Sequence, residues 1–258
     1  MTSMFWYSET NHQPTSEWRP EVHDSDGLSL WTGTGEHLWR PLNNPSVVQT
    51  SSFIDINPKG FGLCQRDRNF ENYQDDAVFY ERRPSLWVEP LEPWGEGAVQ
   101  LVELPTAGEF HDNIVAYWVP QAPAQSGSSR TFKYRLYWVA DEPFPPPLGR
   151  VVTTRVGWIP VPNVTPPLVR AWLVIDFAGG PLKLLDSQAP VSLVAGATCG
   201  KVGKVSAFQV ANTQRWRGFF DIELKRGESA DIRAYLRLGE QTLSETWFYQ
   251  FIPSPVLS

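Results

Sequence analysis

Between residues 143 and 147 the chain reads Pro-Phe-Pro-Pro-Pro, four prolines in five positions. Proline has no amide hydrogen to give to a helix or a sheet ladder, and its fixed φ favours a stiff, extended chain. No regular element runs through such a stretch, so it divides the sequence into residues 1–141, a linker at 142–149, and residues 150–258. The charge balance changes at the same place. Residues 1–140 carry 10 Lys+Arg against 18 Asp+Glu, a net of −8, while residues 141–258 carry 12 against 10, a net of +2. The acidic first part is therefore the better candidate for carboxylate chemistry on a neutral ligand. A whole-chain charge of −6 argues against a nucleic-acid partner, which asks for a basic surface.

The other breaks point the same way. With 23 Pro and 19 Gly in 258 residues, connections are short, and the expected class is all-β. Strands are predicted at 47–56, 61–65, 77–82, 85–89, 98–104, 114–119 and 131–140. In the last of these, Phe132, Tyr134, Leu136 and Trp138 alternate with Lys133, Arg135, Tyr137 and Val139, the period of a half-buried antiparallel strand. Residues 1–45 show turns and tryptophans but no sustained period. Thr32-Gly33-Thr34-Gly35-Glu36 reads as a turn, since a nucleotide-binding loop would need a strand before it and a helix after it. Beyond the linker, seven short strands are predicted in about 110 residues, the number expected of an immunoglobulin-like sandwich.

Two acid clusters stand out in the first part. Glu21–Trp31 reads EVHDSDGLSLW and sets His23, Asp24 and Asp26 together before Gly27, which would permit a turn. Asp-Ser-Asp-Gly is also a common turn composition. The second cluster, Glu109-Phe110-His111-Asp112, sits at the mouth of the strand predicted at 114–119. A dense polar segment, 66–76, offers Arg66, Arg68 and Tyr73 as groups that would bind sugar hydroxyls or form a surface network. Twelve Trp exceed what a core of this size needs, and Trp31, Trp39, Trp87 and Trp94 are candidates for stacking on sugar rings. Asp24 and Asp26 lack the further acids of a calcium loop, so no metal site is expected. Cys64 and Cys199 give neither a disulfide framework nor metal spacing. No apolar run of about 18 residues predicts a membrane span. The start, MTSMFWYSETNHQ, is not a signal peptide and places large apolar residues at once, as in the middle of a domain. The expectation is a fragment, with an exposed apolar face or edge in residues 1–140 and a complete domain at 150–258.

Several long strings carry a resemblance: TSMFWYSETN, EVHDSDGLSLWTGTGEHLWRPLNNP, GFGLCQRDRNFENYQDD, YERRPSLWVEP and EFHDNIVAYWVP. From residue 2 to about 253 the chain resembles the osmoregulated periplasmic glucan biosynthesis proteins G and D. The resemblance implies a periplasmic protein acting on a branched glucan with a β-1,2-linked glucose backbone. It implies part of a large, cleft-bearing, galactose-mutarotase-like β-sandwich followed by an immunoglobulin-like domain. It also implies no cofactor, and contact with the membrane's glucan synthase machinery. Family proteins are roughly twice this length. Some look like inverting β-1,2-glucan hydrolases, and the others would bind or scaffold the glucan. The catalytic carry-over falls on Asp24 and Asp112, with Glu109 beside the latter. Expected substrate contacts are His23, Asp26, Trp31, Arg66, Arg68, Tyr73 and His111. In the expected order, Asp112 is the acid, its pKa raised by Glu109, and Asp24 is the base. An inverting pair stands about 6.5–9.5 Å apart, leaving room for water.

Overall fold

The computed structural model describes residues 1–9, 14, 17–161 and 168–253. It is an all-β fold of packed antiparallel sheets, relieved among the described residues by short 3-10 turns. The chain forms two compact units, Met1–Pro145 and Pro146–Ser258.

Unit 1 holds β1 (Thr2–Ser3), β2 (Phe5–Tyr7), β3 (Val22–His23), β4 (Gly27–Trp31), β5 (His37–Pro41) and β6 (Gln49–Ile56). These are followed by β7 (Gly60–Cys64), β8 (Ser85–Pro90), β9 (Glu96–Glu103), β10 (Ile114–Pro120) and β11 (Tyr134–Val139). One sheet runs β1-β10-β9-β6, a second β11-β8-β7-β4-β5, and β2 pairs with β3. Alternation explains the sandwich. Along β9, Val99, Leu101 and Glu103 turn inward while Ala98, Gln100 and Val102 face away. Val99 and Leu101, with Ile114 and Ala116 of β10, meet Leu28, Leu30, Phe61 and Leu63 of the facing sheet. The inward Glu103 is matched by Arg40 of β5, Nη2 to Oε2 2.8 Å, and also accepts the Asn43 amide at 2.7 Å.

On the other face of the second sheet, glycine makes room for tryptophan. The Trp39 ring lies where a Cβ on Gly27 would stand, and Trp87 does the same to Gly60; at Gly62 a Cβ would first meet the Leu86 carbonyl. Gly27 was expected to shape a turn. It is instead the first residue of β4, and what it supplies is the missing Cβ. The Arg66 guanidinium covers Trp39 at 3.6 Å and pairs with Glu142 at 2.7 Å. Phe144, from the proline-rich stretch, packs near Trp31, Trp87 and Tyr137. That stretch is therefore not a solvated spacer. Its first residues are bound to unit 1, and Gly149 exchanges backbone hydrogen bonds with Leu243 and Glu245 of unit 2.

Other expectations need correction. Residues 77–82 form no strand: Asp75 Oδ1 accepts the Ala77 and Val78 amides, Phe79 takes a left-handed φ of 54°, and Tyr80–Arg82 form a 3-10 turn. The polar segment includes a second such turn, Phe70–Asn72. Among the described residues β11 is an edge strand paired with β8, and the face carrying Tyr134, Leu136 and Trp138 is exposed, with Trp138 62% accessible. Edge strand β6 exposes Ile54 at 86%. The first 45 residues, unreadable by period, hold five short strands.

Unit 2 holds β12 (Arg150–Ile159), β13 (Leu168–Ala178), β14 (Ser192–Ala197), β15 (Lys201–Gln209), β16 (Trp216–Lys225), β17 (Ala230–Leu238), β18 (Gln241–Thr242) and β19 (Thr246–Phe251). One sheet runs β12-β13-β16-β15; the other has β17 between β14 and β19, with β18 beside it. Inward residues such as Leu173, Phe220, Ile232 and Trp247 are fully buried between them. The buried indole of Trp247 donates to Thr154 Oγ1 at 3.0 Å, satisfying its one polar atom.

Candidate functional site

The first seven residues bring the two acid clusters together. β1 pairs with β10, setting Thr2 opposite Val115 and Ser3 opposite Ile114. β2 pairs with β3, setting Phe5 opposite His23. The side chain of Asn113 then acts as a piece of backbone. Its Oδ1 accepts the Phe5 amide at 2.8 Å, and its Nδ2 donates to the carbonyls of Phe5 and Leu104 at 2.9 Å each. Thus Asp112 lies on one side of residues 2–5. Asp24 lies on the other, its amide bonded to the Met4 carbonyl at 2.9 Å.

Asp24 follows β3, half-buried, with Oδ1 3.1 Å from Arg83 Nε. Burial raises its pKa above the usual carboxylate value. Arg83 opposes this shift, Asp112 adds to it, His23 opposes it, and Glu109 adds to it. Those influences place both acids of the second cluster within electrostatic reach of Asp24. Asp112 is exposed and accepts the Thr2 hydroxyl at 2.5 Å. Glu109 is anchored rather than free. Arg19 grips it at 2.7 and 3.3 Å, and the Tyr80 hydroxyl donates to it. Arg19 is itself held by Asp75 and Glu17, each at 2.9 Å. A Glu109 compensated in this way is not the uncompensated charge expected to act on Asp112.

The expected substrate contacts are mostly occupied with folding. His23 is 0% exposed, as is Tyr73, so neither offers a ligand any surface. Asp26 Oδ2 accepts the amides of Arg66 and Asp67 at 2.9 and 2.8 Å, fixing the start of the polar segment. Burial raises its pKa to about 6, against the opposing pull of His23, those two amides and the Arg66 charge. Arg66 is committed to Trp39 and Glu142. Arg68 donates to the carbonyls of Glu81, Arg83 and Ala140, clamping the turn that delivers Arg83 to Asp24. Trp31 lies at the far end of β4 from Asp26, stacked on His37 with Lys59 over its ring. Trp39 and Trp87 are buried, and Trp94 packs against Trp118 and Phe132. His111 is exposed beside Asp112.

Sequence reasoning took Trp18 as a ring flanking the first acid cluster, but it missed Arg83, Tyr80, Arg19, Thr2 and the exposed ring of Phe110. Trp18, 65% exposed, precedes the arginine that grips Glu109, and Phe110, 85% exposed, follows Glu109. Both neighbours were readable as a ring next to a charge, but which rings are bare depends on the fold. Among the described residues no group of three or more His, Cys, Asp or Glu could hold a metal ion, and no helix is long and apolar enough to cross a membrane.

The family model described as "Periplasmic glucan biosynthesis protein, MdoG" matches residues 1–251. The chain belongs to that family. The chain is 53% identical over 259 residues to glucans biosynthesis protein D 2 of Ralstonia nicotianae, a match covering 99% of this chain and 48% of the relative. It is 48% identical over 256 residues to glucans biosynthesis protein D of Stenotrophomonas maltophilia (98% and 48% covered). It is 46% identical over 258 residues to a probable glucans biosynthesis protein D of Shewanella oneidensis (99% and 48%). The chain spans about half the length of the curated relatives it matches. Its family places it in the periplasm.

Proposed function

We propose that this member of the periplasmic glucan biosynthesis family processes the β-1,2-linked glucan backbone by inverting hydrolysis, with Asp24 and Asp112 as the carboxylate pair. What carries the reading is residues 2–5, which hold the two acid clusters of the sequence on either side of one short segment. Asp24 serves as the base. Its raised proton affinity makes it more basic than a surface carboxylate, while Arg83 favours the charged form that a base needs. Asp112 protonates the leaving oxygen, with the Thr2 hydroxyl orienting it. Trp18 and Phe110, next in sequence to Arg19 and Glu109, expose apolar faces suited to sugar rings. The substrate is a glucose polymer, and the partners include the membrane's glucan synthase machinery.

The structural assignments follow the same reading. Unit 1 is part of the galactose-mutarotase-like sandwich and residues 150–258 form an immunoglobulin-like domain. The latter is supported by strand order: taking the seven long strands in sequence, the first, second, fifth and fourth make one sheet and the third, sixth and seventh the other.

The test is reducing-sugar release from linear β-1,2-glucan by the full-length protein. Asp24→Asn and Asp112→Asn should each lower kcat/KM by about 10²–10⁴-fold. Asp112→Asn should recover on an aryl glycoside whose leaving group needs no protonation, and Asp24→Asn should not. Undiminished activity in both variants sinks the pair. The second reading, a non-catalytic glucan-binding scaffold, is favoured by the two bare rings. It expects binding that weakens in Trp18→Ala and Phe110→Ala with no hydrolysis at any pH.

A further inference from the structure

The protonation state of His23 follows from its hydrogen bonds. Gln65 is the starting point. Its Nε2 lies 3.1 Å from the His23 carbonyl, 3.1 Å from the Tyr80 carbonyl and 2.9 Å from the Tyr73 hydroxyl. Carbonyl oxygens only accept, so the Gln65 amide has a single workable orientation, with its NH2 towards them. Its oxygen therefore faces His23 Nδ1, at 3.0 Å, and that nitrogen must carry a hydrogen. The other ring nitrogen, Nε2, lies 2.9 Å from Glu21 Oε2. A bare nitrogen against a carboxylate would be repelled, so a proton lies between them as well.

The ring sits with no exposed surface, stacked on Phe5 at 5.4 Å and meeting Tyr73 edge-on at 5.2 Å. The charged and titratable groups that face it are few. Its own segment supplies Glu21, Asp24 and Asp26; the residue after β7 supplies neutral Gln65; the loop beyond it supplies Tyr73, whose hydroxyl burial keeps protonated. From β2 the apolar Phe5 ring stacks on it. Burial alone would push the imidazole towards neutrality. Glu21, Asp26 and Gln65 outweigh it and leave His23 above the ordinary histidine value.

We propose that His23 is a positioning residue: a buried imidazolium, clamped between Glu21 and Gln65, that fixes the strand end bearing Asp24 and helps keep that carboxylate ionised. The clamp acts on side chain and backbone together, because Gln65 holds both the His23 ring and the His23 carbonyl. His23 is thus the second cation beside Asp24, buried where Arg83 is partly exposed. The charge assignment is independent of function, whereas its importance for turnover rests on the reading of Asp24 as a catalytic carboxylate.

The experiment is NMR on the full-length protein with ¹⁵N-labelled histidine and ¹³C-labelled aspartate carboxyl groups, comparing wild type, Glu21→Gln and His23→Gln. In wild type both His23 ring nitrogens should show the protonated signature at pH 7. Glu21→Gln, which preserves shape, should convert His23 to a neutral ring and move the Asp24 titration upward by about one pH unit. His23→Gln should move it in the same direction, and the acid limb of kcat/KM should follow. A neutral His23 in the wild type overturns the charge assignment. An unmoved Asp24 titration in a folded Glu21→Gln variant with a neutral ring overturns the positioning role. A shifted Asp24 titration without a shifted acid limb leaves the proposal standing and counts against Asp24 as the catalytic base.

Discussion

Two buried carboxylates make opposite commitments. Glu103 is tied to Arg40, which is fully buried between the sheets of unit 1. Glu103→Ala removes a buried carboxylate from beside that guanidinium and an acceptor from the Asn43 amide, and should cost about 3–5 kcal/mol in denaturant unfolding. Asp26 holds its proton more tightly than a free carboxylate, because burial disfavours its charge. Its folded pKa of about 6 stands above the ordinary 3.8, so the folded state binds more protons between those values. Stability then falls as pH rises through that window and levels off above it, by at most about 3 kcal/mol. Asp26→Asn keeps an acceptor for the Arg66 and Asp67 amides and should flatten this slope. Urea midpoints between pH 4 and 7 decide the matter, and an unchanged slope in the variant refutes it. At this scale the sequence was readable in part. Asp24 and Asp112 were expected at strand mouths, and they stand just after β3 and just before β10. That His23 and Tyr73 would be sealed inside was not legible, because a polar residue's burial depends on partners such as Gln65 and Glu21 whose approach is set by tertiary structure.

The elements divide by the length of their periodic signal. β9 was expected as a strand at 98–104, and along it buried and half-exposed residues alternate over its whole length. β1 to β3 have two or three residues each, too short for any period, yet they join the two acids. Residues 77–82 carry strand-forming Val78, Phe79 and Tyr80, but the Asp75 side chain captures the following amides and ends the extended run. In β11 the alternation is real and the inference drawn from it fails, because a strand's apolar face is covered only if another layer lies over it. Tyr134, Leu136 and Trp138 lie bare on an edge strand, a template for pairing with another chain. Leu136→Lys should leave the unfolding midpoint within about 0.5 kcal/mol of wild type. It should also reduce any concentration-dependent association seen in sedimentation velocity, and a large loss of stability would mean that the face is covered after all.

Across the whole molecule, the proline-rich break falls where the two compact units meet in sequence, and it is not a free linker. The sequence showed where a ladder must stop; it did not show that Phe144 and Glu142 would bind back onto the sheet face carrying Trp87 and Trp39. Unit 2 has two facing sheets around a buried tryptophan, and residues 146–258 expressed alone should melt cooperatively with a sharp near-ultraviolet dichroism signal. A broad, non-cooperative melt would refute its independence. The contacts between Gly27 and Trp39, and between Gly60 and Trp87, bear on something further: the order in which this lineage can change. An alanine at either of these glycines collides with an indole already in place, so it is harmful while the tryptophan stands. Once the ring has shrunk, the same alanine fills a gap. The substitutions are thus passable in one sequence and closed in the other, and descendants should have lost the ring before they gained the methyl group.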